Sequence, residues 1–213
     1  LEWTRLPAMP TTRFYPAVVT GSDGRIYVVG GTPANCPPVC DPTNLVEVYT
    51  PASSTPVGPP PPATDPLAAT SGSWTALAPL PFSHASSAVA VAPDGRLFAF
   101  GGADLRRPDG YRPELLAYAP ASHTWTAAGS VPPDDGLVTS ATSGGDGLIY
   151  VLGYVSLDQF SVRTTFAAYE PSTGAWSRLP APPTPGMSGA VALAGNDGRI
   201  YVLGGVHCYM VQA

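Results

Sequence analysis

One turn-and-strand sequence occurs four times in this chain, and this repetition limits the fold more than any other feature. The copies are DGRIYVVGG at 23–31, DGRLFAFGG at 94–102, DGLIYVLGY at 146–154 and DGRIYVLGG at 197–205. The Asp-Gly pair suits a tight hairpin turn, because glycine accepts the positive φ that such turns require. The β-branched and aromatic residues after it favour a strand. The sequence therefore predicts four hairpins of the same design.

Two aromatic landmarks keep the same register as the hairpins. Tryptophan stands at 3, 74, 125 and 176, so the last two intervals are 51 residues and the first is 71. A strand ending in tyrosine, at 49, 118 and 169, precedes the next tryptophan by 7 residues twice and by 25 residues once. The extra length is a Pro/Ser/Thr-rich insertion at 50–73, which we expect to be an extended loop. Four strands in about 50 residues is the repeat length of a propeller blade.

Composition excludes several classes of fold and function. The chain has 23 Gly and 27 Pro in 213 residues, which leaves few stretches long enough for a helix. The formal net charge is −5 and nothing resembles a basic stripe, so we expect no nucleic-acid partner. All ten basic residues are Arg, which excludes chemistry that depends on Lys. No apolar run approaches the ~20 residues of a membrane helix, so we expect no membrane insertion.

The repeat resembles the kelch family. The residues that carry the resemblance are the glycine pairs Gly30-Gly31, Gly101-Gly102 and Gly204-Gly205 after a hydrophobic strand, together with the tyrosines and tryptophans above. The third unit departs from the pattern, with Gly153-Tyr154 in place of the glycine pair, and the fourth has no downstream Trp. The resemblance implies an all-β kelch-type β-propeller, whose aromatic residues fill the layers between blades.

Strand order within a unit predicts how the ring is built. We label the strands A to D from the centre outward, and the tryptophan segment is D. The chain then forms a single domain, 1–213, of four blades with four antiparallel strands each, and the insertion at 50–73 belongs to the first blade. The last blade takes residues 208–212 as its C strand and is closed by Leu1–Leu6 as its D strand, which removes an exposed edge. The alternative is a fragment of a larger kelch propeller.

Strand alternation puts the D–A and B–C loops on one face, and this face carries the varied side chains. In kelch propellers it commonly engages a protein, so the resemblance implies a non-catalytic binding or scaffold module for a protein or glycan partner. Arg and Tyr are frequent in interface hot spots. We assign no catalytic residue, metal ligand or cofactor. The predicted contact residues are Arg13, His84, Asp104, Arg106, Arg107, Tyr111, Arg112, Asp135, Gln159 and Arg163.

Other functions remain open at this point. A propeller enzyme is one alternative, either a metal-dependent oxidase using His84, His207 and Cys208 or a sugar-active enzyme using Asp134, Asp135 and their neighbours Asp104 and Asp109. A structural unit of a larger surface or extracellular assembly is another. Cys36 and Cys40 are spaced for a small disulfide loop, which would indicate an oxidising compartment and hence a secreted or extracellular protein. Two free thiols or half a metal site are the other interpretations.

Overall fold

The architecture is all-β in a computed structural model that describes residues 6–34, 41–52, 72–83, 85, 87–104, 110–132, 134, 136–157, 162–183 and 187–207. These residues contain no α-helix, and hence no helix that could span a bilayer. Their strands are β1 (Arg13–Phe14), β2 (Ala17–Thr20), β3 (Ile26–Val29), β4 (Thr32–Pro33), β5 (Val46–Pro51), β6 (Gly72–Ala76), β7 (Ala88–Val91), β8 (Leu97–Ala103), β9 (Tyr111–Ala119), β10 (Thr124–Ser130), β11 (Leu137–Ser143), β12 (Ile149–Ser156), β13 (Val162–Glu170), β14 (Ala175–Arg178), β15 (Met187–Ser188), β16 (Val191–Ala194), β17 (Ile200–Leu203) and β18 (Val206–His207).

Three antiparallel sheets of four strands are the first three blades. Their strand orders are β2-β3-β5-β6, β7-β8-β9-β10 and β11-β12-β13-β14, so each sheet follows the chain from strand A to strand D. In the fourth blade the described residues give the pair β16-β17. The predicted blade design is confirmed. The proposed fourth C strand and the closing strand at Leu1–Leu6 lie almost entirely outside the described residues, and closure stays a prediction.

The B strands of the second and third blades are buried on both faces because each lies between two neighbouring blades. In β8, Leu97 and Ala99 pack toward the first blade, while Phe98 and Phe100 pack toward the third. Successive side chains of a strand point to opposite faces, so a strand covered on both sides needs a continuous apolar run. This is why the repeated strands contain few polar residues.

The aromatic landmarks are cross-strand pairs between strands C and D. Tyr118 lies opposite Trp125 and Tyr169 opposite Trp176, with ring centroids 5.0 Å apart in both pairs. The Tyr169 ring also lies 5.5 Å from that of Phe98 in the preceding blade. The predicted aromatic layer between blades is therefore present.

Among the described residues, the outer faces of the first and fourth blades are not packed against each other. In the other blades, certain apolar positions pack against the next blade. The equivalent residues of the fourth blade are 44–53% exposed, and Val18 on the first blade is 58% exposed. The four positions in the fourth blade are Val191, Leu193, Tyr201 and Leu203. The described blades thus form an arc.

The segment before the first blade occupies a repeat-equivalent place. The indole N–H of Trp125 donates to the Ala78 carbonyl oxygen at 3.1 Å, and that of Trp74 donates to the Pro7 carbonyl oxygen at 2.8 Å. Ala78 and Pro7 each follow a repeat tryptophan by four residues. The N-terminal segment therefore contacts the first blade as the end of a preceding outer strand would.

Candidate functional site

The D–A and B–C loops lie side by side at one end of each described blade. β1 pairs with β4, Ala85 bridges to Ala103, Leu137 pairs with Tyr154, and β15 pairs with β18. The four blades therefore build this face in the same way, and the loops that the sequence placed together do meet.

Arg13, a predicted contact residue, lies inside the protein. Its side chain is 0% exposed, and its guanidinium lies 2.6 Å from the Glu47 carboxylate and donates to the carbonyl oxygens of Gly30 at 2.8 Å and Leu45 at 3.0 Å. Burial lowers the pKa of Arg13 and the Glu47 carboxylate opposes this shift, and the guanidinium stays protonated. Arg13 holds its loop to the first blade and offers no guanidinium to a partner.

Arg112 and Asp104 hold the loops of the second blade in a similar way. Their charged groups lie 2.7 Å apart, and the Asp104 side chain is almost fully buried. The Arg112 guanidinium also stacks 4.5 Å from the centre of the Phe82 ring, which joins the D–A loop to strand C. These two predicted contact residues are therefore bound to each other.

Other predicted contacts differ in how far the structure describes them. Tyr111 begins β9 and is half-buried, and exposed Arg163 donates to the Asp134 carbonyl oxygen at 3.3 Å. The following predicted site residues lie outside the described residues and stay predictions, as do the disulfide and the compartment it would indicate: Cys36, Cys40, His84, Arg106, Arg107, Asp135 and Gln159.

The described residues do not bring together the side chains on which the two enzyme hypotheses depend. Within the described part of the chain, no three His, Cys, Asp or Glu residues lie close enough together to hold a metal ion. Asp134 is exposed and its carboxylate lies 3.4 Å from Arg178, while Asp104 is the buried partner of Arg112. His84, Cys208, Asp109 and Asp135 lie outside the described residues.

A pocket of about 360 Å³ opens on the face of the D–A and B–C loops, and we call it the mouth pocket. It lies where the A strands begin, above a channel of about 590 Å³ that the A strands of all four blades line. The residues of the mouth pocket come from every blade: Tyr15, Pro16, Ser87, Leu137, Thr139, Tyr154 and Gly189.

Tyr15 is held in a strained conformation at the edge of the mouth pocket. Its φ is +52° and its side chain is 73% exposed. A bulky residue with positive φ is uncommon and persists only when its surroundings enforce it. Gly31 permits this loop to lie close, because a Cβ there would come within 2.8 Å of the Phe14 carbonyl oxygen. Together with the anchor at Arg13, this contact fixes the loop that carries Tyr15.

Tyr154 lines the opposite side from the third blade. It occupies the second glycine position of the repeat, where Gly31, Gly102 and Gly205 all have positive φ. In the third blade β12 instead continues as an ordinary strand through Tyr154, which pairs with Leu137. Gly136 has no Cβ to collide with the Tyr154 carbonyl oxygen and so allows this pairing.

Two hydroxyl residues complete the polar part of the lining. Thr139 lies at a register shift in β11, and its hydroxyl donates to the carbonyl oxygens of Leu152 at 3.3 Å and Ala190 at 3.5 Å. Ser87 is buried, and its hydroxyl has no hydrogen-bond partner.

The repeat pattern gave no indication that Tyr15, Ser87, Thr139 or Tyr154 belong to a site. The departure from it at Gly153-Tyr154 was the available signal, because a large aromatic residue replaces a glycine that the other repeats keep. The other three residues are ordinary in sequence and are brought together only by the radial arrangement of the blades.

Similar proteins agree with this architecture. No family model matches the chain. The Kelch-like protein terF of Aspergillus terreus is 29% identical over 143 residues, which cover 63% of this chain and 30% of that protein. Alpha-scruin of Limulus polyphemus is 27% identical over 143 residues, which cover 63% of this chain and 14% of that protein. The chain thus spans less than a third of the length of these curated relatives.

A solved structure gives the same result at the level of the fold. The structure of YjhT superposes with a TM-score of 0.62 at 19% sequence identity. The superposition covers 88% of this chain and 56% of YjhT. The chain therefore shares the propeller fold of YjhT over part of that structure.

Proposed function

We propose that this chain, which is similar to kelch-repeat proteins, is a non-catalytic binding module for a protein or glycan partner. The partner contacts the mouth pocket and the surrounding D–A and B–C loops. One observation carries the proposal: the mouth pocket takes residues from all four blades, and two of them are tyrosines. Concave sites lined by aromatic groups and a few polar atoms are typical of ligand sites.

Recognition in this proposal depends on a preformed site. The buried Arg13–Glu47 and Arg112–Asp104 pairs hold the loops before a partner arrives. A loop that is already ordered loses less conformational entropy on binding, and this raises affinity. The partner dissociates with its covalent structure unchanged, because a binding module makes and breaks no bond.

A binding screen tests the proposal directly. The whole chain is screened against a peptide library and a glycan array, and each ligand found is measured again with Tyr15→Ala. We expect this variant to weaken binding at least tenfold, because it removes a large aromatic contact. Phe14→Ala is the matched control, since Phe14 is the exposed neighbour of Tyr15 in the same loop but does not line the pocket.

The recovered ligand separates binding from catalysis. We expect its mass and NMR spectrum to be unchanged after prolonged incubation with the protein. Ligands that bind both variants as tightly as the original chain, or that are chemically converted, would contradict the proposal.

A further inference from the structure

Seven residues that the structure describes line the mouth pocket, and none of these seven is Asp, Glu, Arg or His. A charged ligand that leaves water requires an opposite charge or a full set of hydrogen bonds. The described part of the lining offers no opposite charge. It therefore favours a ligand without net charge.

The mouth pocket combines aromatic surface with hydroxyl groups. Tyr15 and Tyr154 are its aromatic lining residues, and Ser87 and Thr139 are its hydroxyl-bearing ones. A matching ligand needs an apolar surface for the rings and polar groups for the hydroxyls. A pyranose ring has both, because its C–H groups form an apolar face and its hydroxyls form the rim. The volume of about 360 Å³ suits one or two such rings.

Ser87 provides an independent indication of a ligand. Buried hydroxyls are almost always hydrogen-bonded, so an unpartnered one requires an explanation. The Ser87 residue is 7% exposed, its hydroxyl lacks a partner, and it borders the mouth pocket. A ligand hydroxyl in the pocket would complete its hydrogen bonding.

We infer that the mouth pocket binds an uncharged sugar ring, with Tyr15 and Tyr154 against its C–H face and Ser87 hydrogen-bonded to one of its hydroxyls. This inference rests on the proposed function and names the ligand class of the same site. Sugar binding would also explain the strained backbone at Tyr15, because this conformation holds Tyr15 beside the pocket.

Saturation-transfer NMR on the whole chain tests the ligand class. The neutral probes are methyl β-glucopyranoside, methyl β-galactopyranoside and N-acetylglucosamine, and the charged probes are glucuronate and glucosamine. We expect saturation transfer to at least one neutral sugar, strongest at its C–H protons. We expect the charged probes to bind at least tenfold more weakly, because each would bury a charge without a partner.

Three variants test the named contacts. Tyr154→Gly restores the residue of the other repeats and should weaken the bound neutral sugar at least tenfold. Ser87→Ala should weaken it about fivefold while the melting temperature stays equal or rises, because the hydroxyl has no protein partner to lose. Phe14→Ala should leave sugar affinity within twofold of the original chain.

The outcomes separate this inference from the proposed function. The inference is overturned if no neutral sugar binds, if charged sugars bind as tightly, or if Tyr154→Gly and Ser87→Ala leave affinity unchanged. A peptide that depends on Tyr15 while every sugar fails would overturn the sugar assignment and leave the binding module standing. Sugar binding that survives every mouth variant would contradict both.

Discussion

At the scale of single residues, the four repeats vary in a correlated way near the Asp-Gly turn. Three repeats have Gly two residues before the Asp and Tyr four residues after it, whereas the second has Ala92 and Phe98 at these positions. The Tyr150 hydroxyl donates to the Asp146 carboxylate at 2.6 Å, which draws the ring across Gly144. A Cβ on Gly144 would lie 2.6 Å from that ring. A tyrosine at this register therefore requires glycine.

The first prediction concerns this pair. Gly144→Ala should lower the free energy of unfolding by about 1–3 kcal/mol, because the new methyl group overlaps the Tyr150 ring. Adding Tyr150→Phe should restore part of the loss, since the second repeat combines Ala with Phe. Urea unfolding of both single variants and the double variant measures the coupling. Purely additive effects would contradict the account.

The second prediction is a pH dependence. The hydrogen bond from Tyr150 lowers the pKa of Asp146 below its usual 3.8. A carboxyl whose pKa is lower in the folded protein stabilises the fold at pH values above its pKa in the unfolded chain. That stabilisation is lost as the pH falls through the pKa of the folded protein. Because the pair is exposed, Tyr150→Phe should cost only about 0.5 kcal/mol at neutral pH.

Urea unfolding at pH 7 and pH 3 measures this difference between the original chain and Tyr150→Phe. The difference in unfolding free energy between the two proteins should be smaller at pH 3 than at pH 7. A gap that stays constant or widens on acidification would show that Asp146 and Tyr150 are not linked in this way.

At the scale of secondary-structure elements, the strands were predictable and the loops were not. The glycines, the Asp-Gly turns and the apolar runs act locally, so the sequence indicated every B strand and its turn. Arg13 looked like a surface residue because its partner Glu47 lies 34 residues away, on strand C. A long side chain with a charged end can lie inside or outside, and local sequence does not decide which.

The third prediction tests this buried pair. Arg13→Met should lower the free energy of unfolding by about 3–5 kcal/mol, because the buried Glu47 carboxylate loses its partner. The second blade has Leu116 at the register of Glu47, which shows that an apolar residue fits there. Arg13→Met combined with Glu47→Leu should therefore regain most of the loss.

Chemical denaturation of the three variants provides the measurement. If the double variant is as unstable as Arg13→Met alone, then the unpaired Glu47 carboxylate is not the cause of the lost stability. Arg163→Met is the control at an exposed arginine of the same face, and it should change stability by less than about 0.5 kcal/mol.

At the scale of the whole molecule, the repeat period predicted the radial blades but left the closure of the ring open. Each blade interface uses positions that recur in every unit, which is why one sequence pattern defined all of them. Whether the last blade meets the first depends on the angle between blades, and no local pattern encodes that angle. The exposed face of the fourth blade shows the consequence.

The fourth prediction compares two leucines at the same register. Leu152 in the third blade is 0% exposed, and Leu203 in the fourth is 53% exposed. Leu152→Ala should cost about 2–5 kcal/mol, because it leaves a cavity between blades. Leu203→Ala should cost less than about 0.5 kcal/mol. Equal and large losses in thermal unfolding would mean that the fourth blade is covered by the first.

The central claim is that ligands bind where the D–A loops of all four blades converge. The most direct measurement is an amide chemical-shift map of the labelled chain, titrated with the strongest ligand from the peptide and sugar screens. We expect shifts at residues 15–16, 87, 137, 139, 154 and 189. Shifts confined to the Asp-Gly turns at 23–24, 94–95, 146–147 and 197–198, on the opposite face, would contradict it.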